Sequence, residues 1–555
     1  MKYLASLFVA ALALSACGGG GGDSTPSPAP APAPAPAGFT NVTGKITFDY
    51  VPVAVNGAGI PRLDFPSTSR REARGVLVEV LDANSRVVLA SGVTNASGDY
   101  ALQVPAGRSV FVRANAVLWT DSVSSPNVVE VRDNTQGNAQ WAIDGAVFST
   151  TGSSVTQNLN APSGWSGSSY TGLRGAAPFA ILDTIYTGVQ KVRSAQANAV
   201  FPKLTVYWSP NNTSAAGGNL AAGQIGTSFF QTSFSSNTLQ RALYILGKAE
   251  NDTDEFDAHV IAHEFGHYLQ SAFSRDDTTG GRHSGTDLLD MRVAFSEGWG
   301  NGWAAISLNN KIYADTLAAA ASGGFSMDVS VGATSNPGWF RTRSVQRLFW
   351  DMSNSPSIGF TTVWTTMRSG LTTTPALTGI HSFAFGLAQS NPSLTSPLSA
   401  ILLNQSVSLP TDAYGSGETN FGSPVIAAVN PLYLSHPGVG STLSNVCLSN
   451  AADPDRDGNK AGEFRYVRLN LPAGPRTISV TRAATTSVAT DPDFYLYSNV
   501  GQVSNGSSTF GLSAVANSES AQISVNGGNY VLAVTDYNFT TNGLSRAPCF
   551  NVLIN

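Results

Sequence analysis

The chain has 555 residues, enough for three or four units at roughly 150 residues per domain. Only 12% of residues are charged while 42% are hydrophobic, against roughly 25% charged in ordinary soluble domains, and Gly and Pro are frequent. A net charge of −5 with no basic run excludes an electrostatic nucleic-acid binder, and the apolar content excludes wholesale disorder.

Lys2 precedes an apolar run from Leu4 to Leu14. At about eleven residues it matches a signal-peptide core and falls short of the roughly 20 that a spanning helix needs. The run ends in Leu14-Ser15-Ala16-Cys17, which resembles a bacterial lipobox. The resemblance implies that residues 1–16 are a signal peptide, cut before Cys17, and that Cys17 is acylated. The protein is then expected on the bacterial cell envelope, facing periplasm or exterior, with the membrane as partner through the lipid anchor. Residues 17–38, with Gly18 to Gly22 and a Pro-Ala repeat, read as a flexible, partly polyproline II tether. With Cys17 assigned to lipid, Cys447 and Cys549 remain, and an even pair in an exported chain reads as a disulfide. Such a bridge closes a loop of about a hundred residues and contributes about 4–5 kcal/mol in the chain-entropy description.

From residue 39 to 150 short alternating strands are separated by turns. Val76 to Leu81 alternates, Asp82 to Ser85 turns, and Thr94-Asn95 leads through Gly98 and Tyr100 into the strand ending at Val104-Pro105. This approach resembles the carboxypeptidase regulatory-like, transthyretin-like β-sandwich, and no acid–base cluster lies in it, so a spacer is expected. Residues 165–410 turn helical. Phe179, Leu182, Ile185, Tyr186, Val189 and Val192 recur at helical spacing over Ala176 to Ala195. Strands are expected at Lys203 to Trp208, Ile225 to Gln231 and Ala242 to Leu246. The next helix is expected from about Asp254 to Ser274, capped by Asp252 or Asp254. Further helices are expected at Leu288 to Leu308, Gly338 to Met352, Thr361 to Ser369 and Gly379 to Gln389. Residues 411–439, rich in Gly, Pro, Ser and Asn, read as a linker. Strands return over 440–555, where Asp491 to Tyr497 and Gly527 to Val534 resemble a bacterial pre-peptidase C-terminal domain, a small β-sandwich attached to secreted peptidases.

The sharpest pattern is His263-Glu264-Phe265-Gly266-His267, HExxH. On a helix, residues four apart share a face, so both imidazoles can reach one ion while Glu264 stands beside a bound water. Zn2+ suits imidazole, and catalytic zinc keeps three protein ligands with one open position. A strand followed by this helix resembles the zincin type of zinc metallopeptidase. The expected fold is therefore multidomain: an α+β zincin-like catalytic domain between two all-β sandwiches.

Position 270 is Gln and position 273 is Phe, so the extended HExxHxxGxxH ligand set is absent. Glu297, about thirty residues past His267 in Ala294 to Asn301, resembles the ligand Glu of thermolysin-like gluzincins. Asn301 stands where those carry an Asp that supports a ligand His, which changes the charge of that support. Asp287 and Asp290 compete for the third-ligand role. For the donor that stabilises an oxyanion, His381 lies downstream in the order the resemblance implies, with Tyr268 and Tyr313 as alternatives. His259 reads as structural, and His283 and His436 as loop residues. Asp453, Asp455 and Asp457 alternate before Gly458 like a weak calcium loop, with Glu463 one place short of the bidentate position. These readings give a lipid-anchored, zinc-dependent endopeptidase acting on protein or peptide. The alternatives are a non-catalytic surface binding or adhesion lipoprotein with a structural zincin domain, and a zinc hydrolase of non-peptide bonds.

Overall fold

The computed structural model describes residues 38–119, 128–236, 238–422, 424–449, 458–503, 516–541 and 546–555. Cys17, its tether and the Asp453-Asp455-Asp457 loop lie outside the described residues. The fold is mixed α/β, rich in sheet, with several layers of secondary structure.

The first strands are β1 (Phe39–Tyr50), β2 (Val76–Asp82), β3 (Val88–Val93), β4 (Asp99–Pro105), β5 (Ser109–Trp119) and β6 (Val128–Asp133). The alternation seen in the sequence puts Val76, Val78 and Val80 of β2 on one buried face, as a period of two requires. β1 pairs antiparallel with β4, and β2 lies between β3 and β5. This region is not an independent unit ending at residue 150. β6 pairs parallel with β7 (Leu204–Trp208), which pairs parallel with β9 (Thr238–Ile245), and β8 (Phe229–Ser235) closes the edge antiparallel to β9. One sheet thus runs β8-β9-β7-β6-β5-β2-β3 across the expected boundary. The physical reason is that β6 would otherwise leave a row of backbone donors and acceptors unpaired. Val129 and Val131 also join one core with Val206 and helix α1 (Ala176–Ala195).

Helices α2 (Ala258–Phe273), α3 (Met291–Leu308), α4 (Thr342–Asn354) and α5 (Ile380–Ser390) follow. α3 is buried on nearly every side, as expected for a helix apolar all round. α2 and α3 approach closely: the Trp299 indole N–H donates to the Gly266 carbonyl at 2.9 Å. A Cβ at Gly266 would lie 3.2 Å from the Gly300 Cα. α2 begins only at Ala258, so Asp252 and Asp254 precede the helix and do not cap it.

The segment read as a linker is packed. Ala413, Ile426, Val429, Leu432 and Tyr433 are buried in the main core, and Tyr433–Ser435 pairs parallel with β11 (Arg465–Leu471). Its Gly, Ser and Asn content makes turns that fold back on α5 rather than a free tether. The C-terminal residues form two sheets over a separate apolar core. β11 pairs with β14 (Gly528–Asp536), which pairs with β13 (Pro492–Ser498). In the second sheet β10 (Ser441–Cys447), β16 (Cys549–Ile554), β12 (Gly474–Arg482) and β15 (Ser518–Val525) are neighbours. Cys447 and Cys549 are disulfide-bonded across 102 residues.

Candidate metal centre

α2 presents His263 and His267 from one face, their Nε2 atoms 3.0 Å apart. α3 brings Glu297 opposite them, with Oε2 3.3 Å from His263 Nε2 and 3.8 Å from His267 Nε2. Donors held about 2.0–2.1 Å from a tetrahedral ion sit roughly 3.3 Å apart, so this triangle has the dimensions of three corners of a zinc site. All three side chains are buried.

Each histidine is oriented by its other nitrogen. His263 Nδ1 lies 2.9 Å from Asn301 Oδ1. The Asn301 amide donates to Gln346 Oε1 at 3.0 Å, which fixes its oxygen toward the imidazole. An oxygen can only accept, so His263 carries its proton on Nδ1 and leaves the Nε2 lone pair free. An Asn at 301 therefore sets the tautomer that an Asp would set, without its charge. For His267 the support is Ser296: its hydroxyl donates to Gln270 Oε1 at 3.1 Å, and its oxygen accepts from His267 Nδ1 at 3.1 Å. Ser296, Gln270 and Gln346 were not read from the sequence. Ser296 precedes Glu297 directly, and Gln270 lies one turn past His267, so helical spacing could have found both.

Backbone packing sets the third dimension. A Cβ at Gly300 would lie 2.7 Å from His263 Cε1 and 2.8 Å from its Nδ1. The missing side chain on α3 is the space in which the His263 ring lies.

Glu264 points to the cleft beside the pair. Burial is the main cause that raises its carboxyl to about 7; His263 opposes this, Glu297 adds to it, and a backbone hydrogen bond from Phe230 of β8 opposes it. Burial also works against the charged form of Glu297, yet His267, with His263 and His283 close by, holds it well below the usual carboxylate range. The third of these is His283, whose Nε2 is 3.1 Å from Glu297 Oε2. His283 was read as a loop residue, and it does lie in the loop between α2 and α3, but that loop folds over the centre. Burial lowers its pKa and Glu297 more than offsets this, leaving it raised to about 9.

The competing residues are engaged elsewhere. Asp290 is the N-cap of α3, accepting from the Arg292 backbone N–H at 3.0 Å and from its Nε at 2.9 Å. Asp287 accepts from the Ser284 hydroxyl at 2.6 Å. His381 is not at the centre: its Nε2 is 2.7 Å from Glu418 of the segment read as a linker, deep beside Trp339. The order of motifs along the chain placed it near the site; the folding back of residues 411–422 supplied a carboxylate that sequestered it. The Tyr268 hydroxyl donates to the Pro202 carbonyl at 2.6 Å, away from the cleft. Tyr313, on β17 (Ile312–Leu317), stands edge-on to His263 with ring centroids 6.3 Å apart. His259 bonds the Asn310 carbonyl at 3.1 Å, and His436 bonds the Val552 carbonyl at 3.1 Å.

The centre opens on a cleft of about 1840 Å3, walled by β8, the loop carrying His283, and Phe325, with Gly501 and Gln502 of the C-terminal sheets at its rim. No helix among the described residues is long and apolar enough to cross a membrane.

No family model matches the chain, and no curated protein matches it. Among solved structures, the pre-peptidase C-terminal domain of a collagenase from Bacillus anthracis is similar at 13% identity and a TM-score of 0.15, covering 22% of this chain and 94% of that one. CorA, a surface-associated copper-binding protein of Methylomicrobium album BG8, is similar at 11% identity and a TM-score of 0.15, covering 22% of this chain and 96% of that one. A 9R-lipoxygenase from Cyanothece PCC8801 aligns at 10% identity and a TM-score of 0.16, covering 67% of this chain and 64% of that one.

Proposed function

We propose that the protein is a zinc-dependent endopeptidase held on the bacterial cell envelope through Cys17. The observation that carries the reading is the triangle of His263, His267 and Glu297, with both Nε2 lone pairs turned inward by Asn301 and Ser296. These three side chains would hold the ion; when bound it supplies a Lewis acid and lowers the pKa of a coordinated water. Glu264 is the general base. Its raised pKa near 7 suits a group that takes a proton from water and returns it to a leaving amine. Donors to the developing oxyanion come from the cleft wall, where His283 and Tyr313 lie and His381 does not. The cleft, at about 1840 Å3, is larger than the roughly 300–1,000 Å3 of a small-molecule pocket, which favours peptide over a small ester or amide.

The test separates roles. Glu264→Gln is expected to abolish casein and peptide hydrolysis while retaining about one zinc per chain, since it removes a base and no ligand. Glu297→Ala is expected to lose both activity and metal, because two imidazoles rarely hold zinc against a chelator. A folded, zinc-loaded wild type inactive on any protein or peptide pool would overturn the peptidase reading in favour of a binding lipoprotein. For the anchor, Cys17→Ser is expected to move the protein from the membrane fraction to the soluble one.

A further inference from the structure

Just before α2, a second group of side chains converges that the peptidase reading does not use. Asp252, Asp254 and Asp315 each place a carboxylate oxygen within 4.8 Å of the others. Asp254 is 3% exposed and Asp252 9% exposed. One oxygen of Asp254 is held by the Ser228 hydroxyl, and its other, Oδ1, is buried without a hydrogen-bond partner. The same holds for Asp257, outside this triad and wholly buried. Its Oδ2 accepts from the Thr316 N–H at 2.9 Å and hydroxyl at 2.7 Å, and its Oδ1 has no partner. Oδ1 of Asp252 and Oδ1 of Asp315 are likewise buried and unpartnered. The strongest charges acting on Asp254 are those of Asp315, Asp252 and Asp257, all of like sign. The neighbouring Glu255, by contrast, is matched by Arg174.

Buried carboxylates persist in folded proteins when they are paired or coordinate a cation. Here Asp252, Asp254 and Asp315 bring carboxylate oxygens to within 4.8 Å of one another, and each also carries a buried oxygen with no hydrogen-bond partner. The donor set is oxygen only, which selects a hard cation over zinc. Calcium takes six to eight oxygens at about 2.3–2.6 Å, so oxygens on opposite sides of the ion lie roughly 4.6–5.2 Å apart, which accommodates the observed separations. We propose that Asp252, Asp254 and Asp315 form a calcium site. The cation also meets the charge that Asp257 adds at Asp254. Its role is to tie the segment that enters α2 to β17, the strand that leaves α3. The two helices that carry His263, His267 and Glu297 are thereby fixed at their open ends. The proposal does not rest on the peptidase reading and holds for a binding protein as well.

The test uses the full chain, stripped of metal and reloaded with one equivalent of zinc, and follows radioactive Ca2+ by equilibrium dialysis at pH 7.5. The expected result is one bound calcium that Asp254→Asn/Asp315→Asn weakens at least about 100-fold with zinc content unchanged, and a melting temperature that rises with calcium in the wild type only. Without calcium, the double variant is expected to melt no lower than the wild type, because it removes like-charge repulsion. Should the double variant fail to fold, Tb3+ luminescence sensitised through Tyr313 reads the same site: emission displaced by Ca2+ and lost in Tyr313→Phe supports it. Absence of calcium binding up to millimolar concentration overturns the proposal. So does binding that survives Asp254→Asn/Asp315→Asn but is lost in Asp453→Asn/Asp455→Asn/Asp457→Asn.

Discussion

Midway along α2, His263 and His267 meet Glu297 with two nitrogens and one oxygen; ahead of its first turn, Asp252, Asp254 and Asp315 meet with oxygens alone. The first group is tight, with donor atoms 3.0–3.8 Å apart, and each imidazole is steered by a hydrogen bond behind it. The second has orphan oxygens, and the strongest charges acting on Asp254 are those of other carboxylates. Charge neutrality is therefore met differently. In the first group a single carboxylate faces histidine nitrogens, so the folded chain can assemble it before any ion binds. In the second, like charges must be screened or protonated for the fold to close. The contrast teaches that one helix can meet two different chemistries: nitrogens and a carboxylate set by hydrogen bonds midway along it, and crowded carboxylates ahead of its first turn.

The largest effect expected from breaking this contrast lies at His283, which gives the first group its third histidine. If it serves the oxyanion from the cleft wall, His283→Ala lowers kcat by about 10²–10³ with zinc retained, the usual cost of one such donor. If it merely neutralises Glu297, metal content falls and kcat per bound zinc does not. Steady-state kinetics normalised to zinc distinguishes the two. Next in size is Gly300→Ala. A methyl group there must displace the His263 ring, since the neighbouring atom would be 2.7 Å away. Zinc affinity is expected to fall by about 100-fold, the upper end of losses from disturbing a ligand's support. Unchanged affinity by competition with a chelator would mean that α2 and α3 separate easily, against their close packing.

Much of this was legible in the sequence, and the exceptions have physical causes. HExxH needs only the helical repeat to put two imidazoles together, and Glu297 on a second apolar helix was the right kind of residue at a plausible distance. α1 was visible as a local periodicity, and β13 and β14 lie where Asp491 to Tyr497 and Gly527 to Val534 pointed to strands. What sequence could not show is partnership between distant segments. That β6 joins β7 across the expected boundary depends on backbone pairing, which carries no side-chain signal. His381 was misplaced because its partner Glu418 lies in a stretch whose composition resembles a linker. The Asp252-Asp254 pair looked like helix-capping acids; only their meeting with Asp315, on the far side of α3, changes their meaning.

Smaller effects are expected at the supports themselves. Ser296→Ala leaves His267 Nδ1 without its acceptor and Asn301→Ala does the same for His263; each is expected to weaken zinc by about 10-fold. Asn301→Asp adds a charge behind the imidazole and is expected to strengthen binding, once the Gln346 amide, which now accepts from Asn301, turns over to donate to the carboxylate. If Asn301→Asp binds zinc more weakly, the amide's role is to match Gln346 and not to orient the histidine.

The smallest effect concerns a third acidic group, in the C-terminal sheets, which serves as a control for the second. Asp493 on β13 is half-buried, and burial, then Asp491, Glu519 and Asp536, raise its carboxyl to about 7. Among the described residues, its carboxylate and those around it do not cluster at metal-ligand spacing as those around Asp254 do, so calcium should not change its behaviour. The folded state holds this proton at pH 5–6, where an unfolded Asp, at its ordinary value near 3.9, has lost it. More protons are then bound folded than unfolded, so this group makes stability fall as pH rises from about 4 through about 7. Asp493→Asn removes that dependence. By calorimetry its melting temperature is expected to match the wild type at pH 4 and to exceed it by a small margin at pH 8, with and without calcium. Parallel pH profiles for the two proteins would show that solvent screens the acids on this face, and a calcium-dependent difference would mean that the C-terminal sheets also bind the ion.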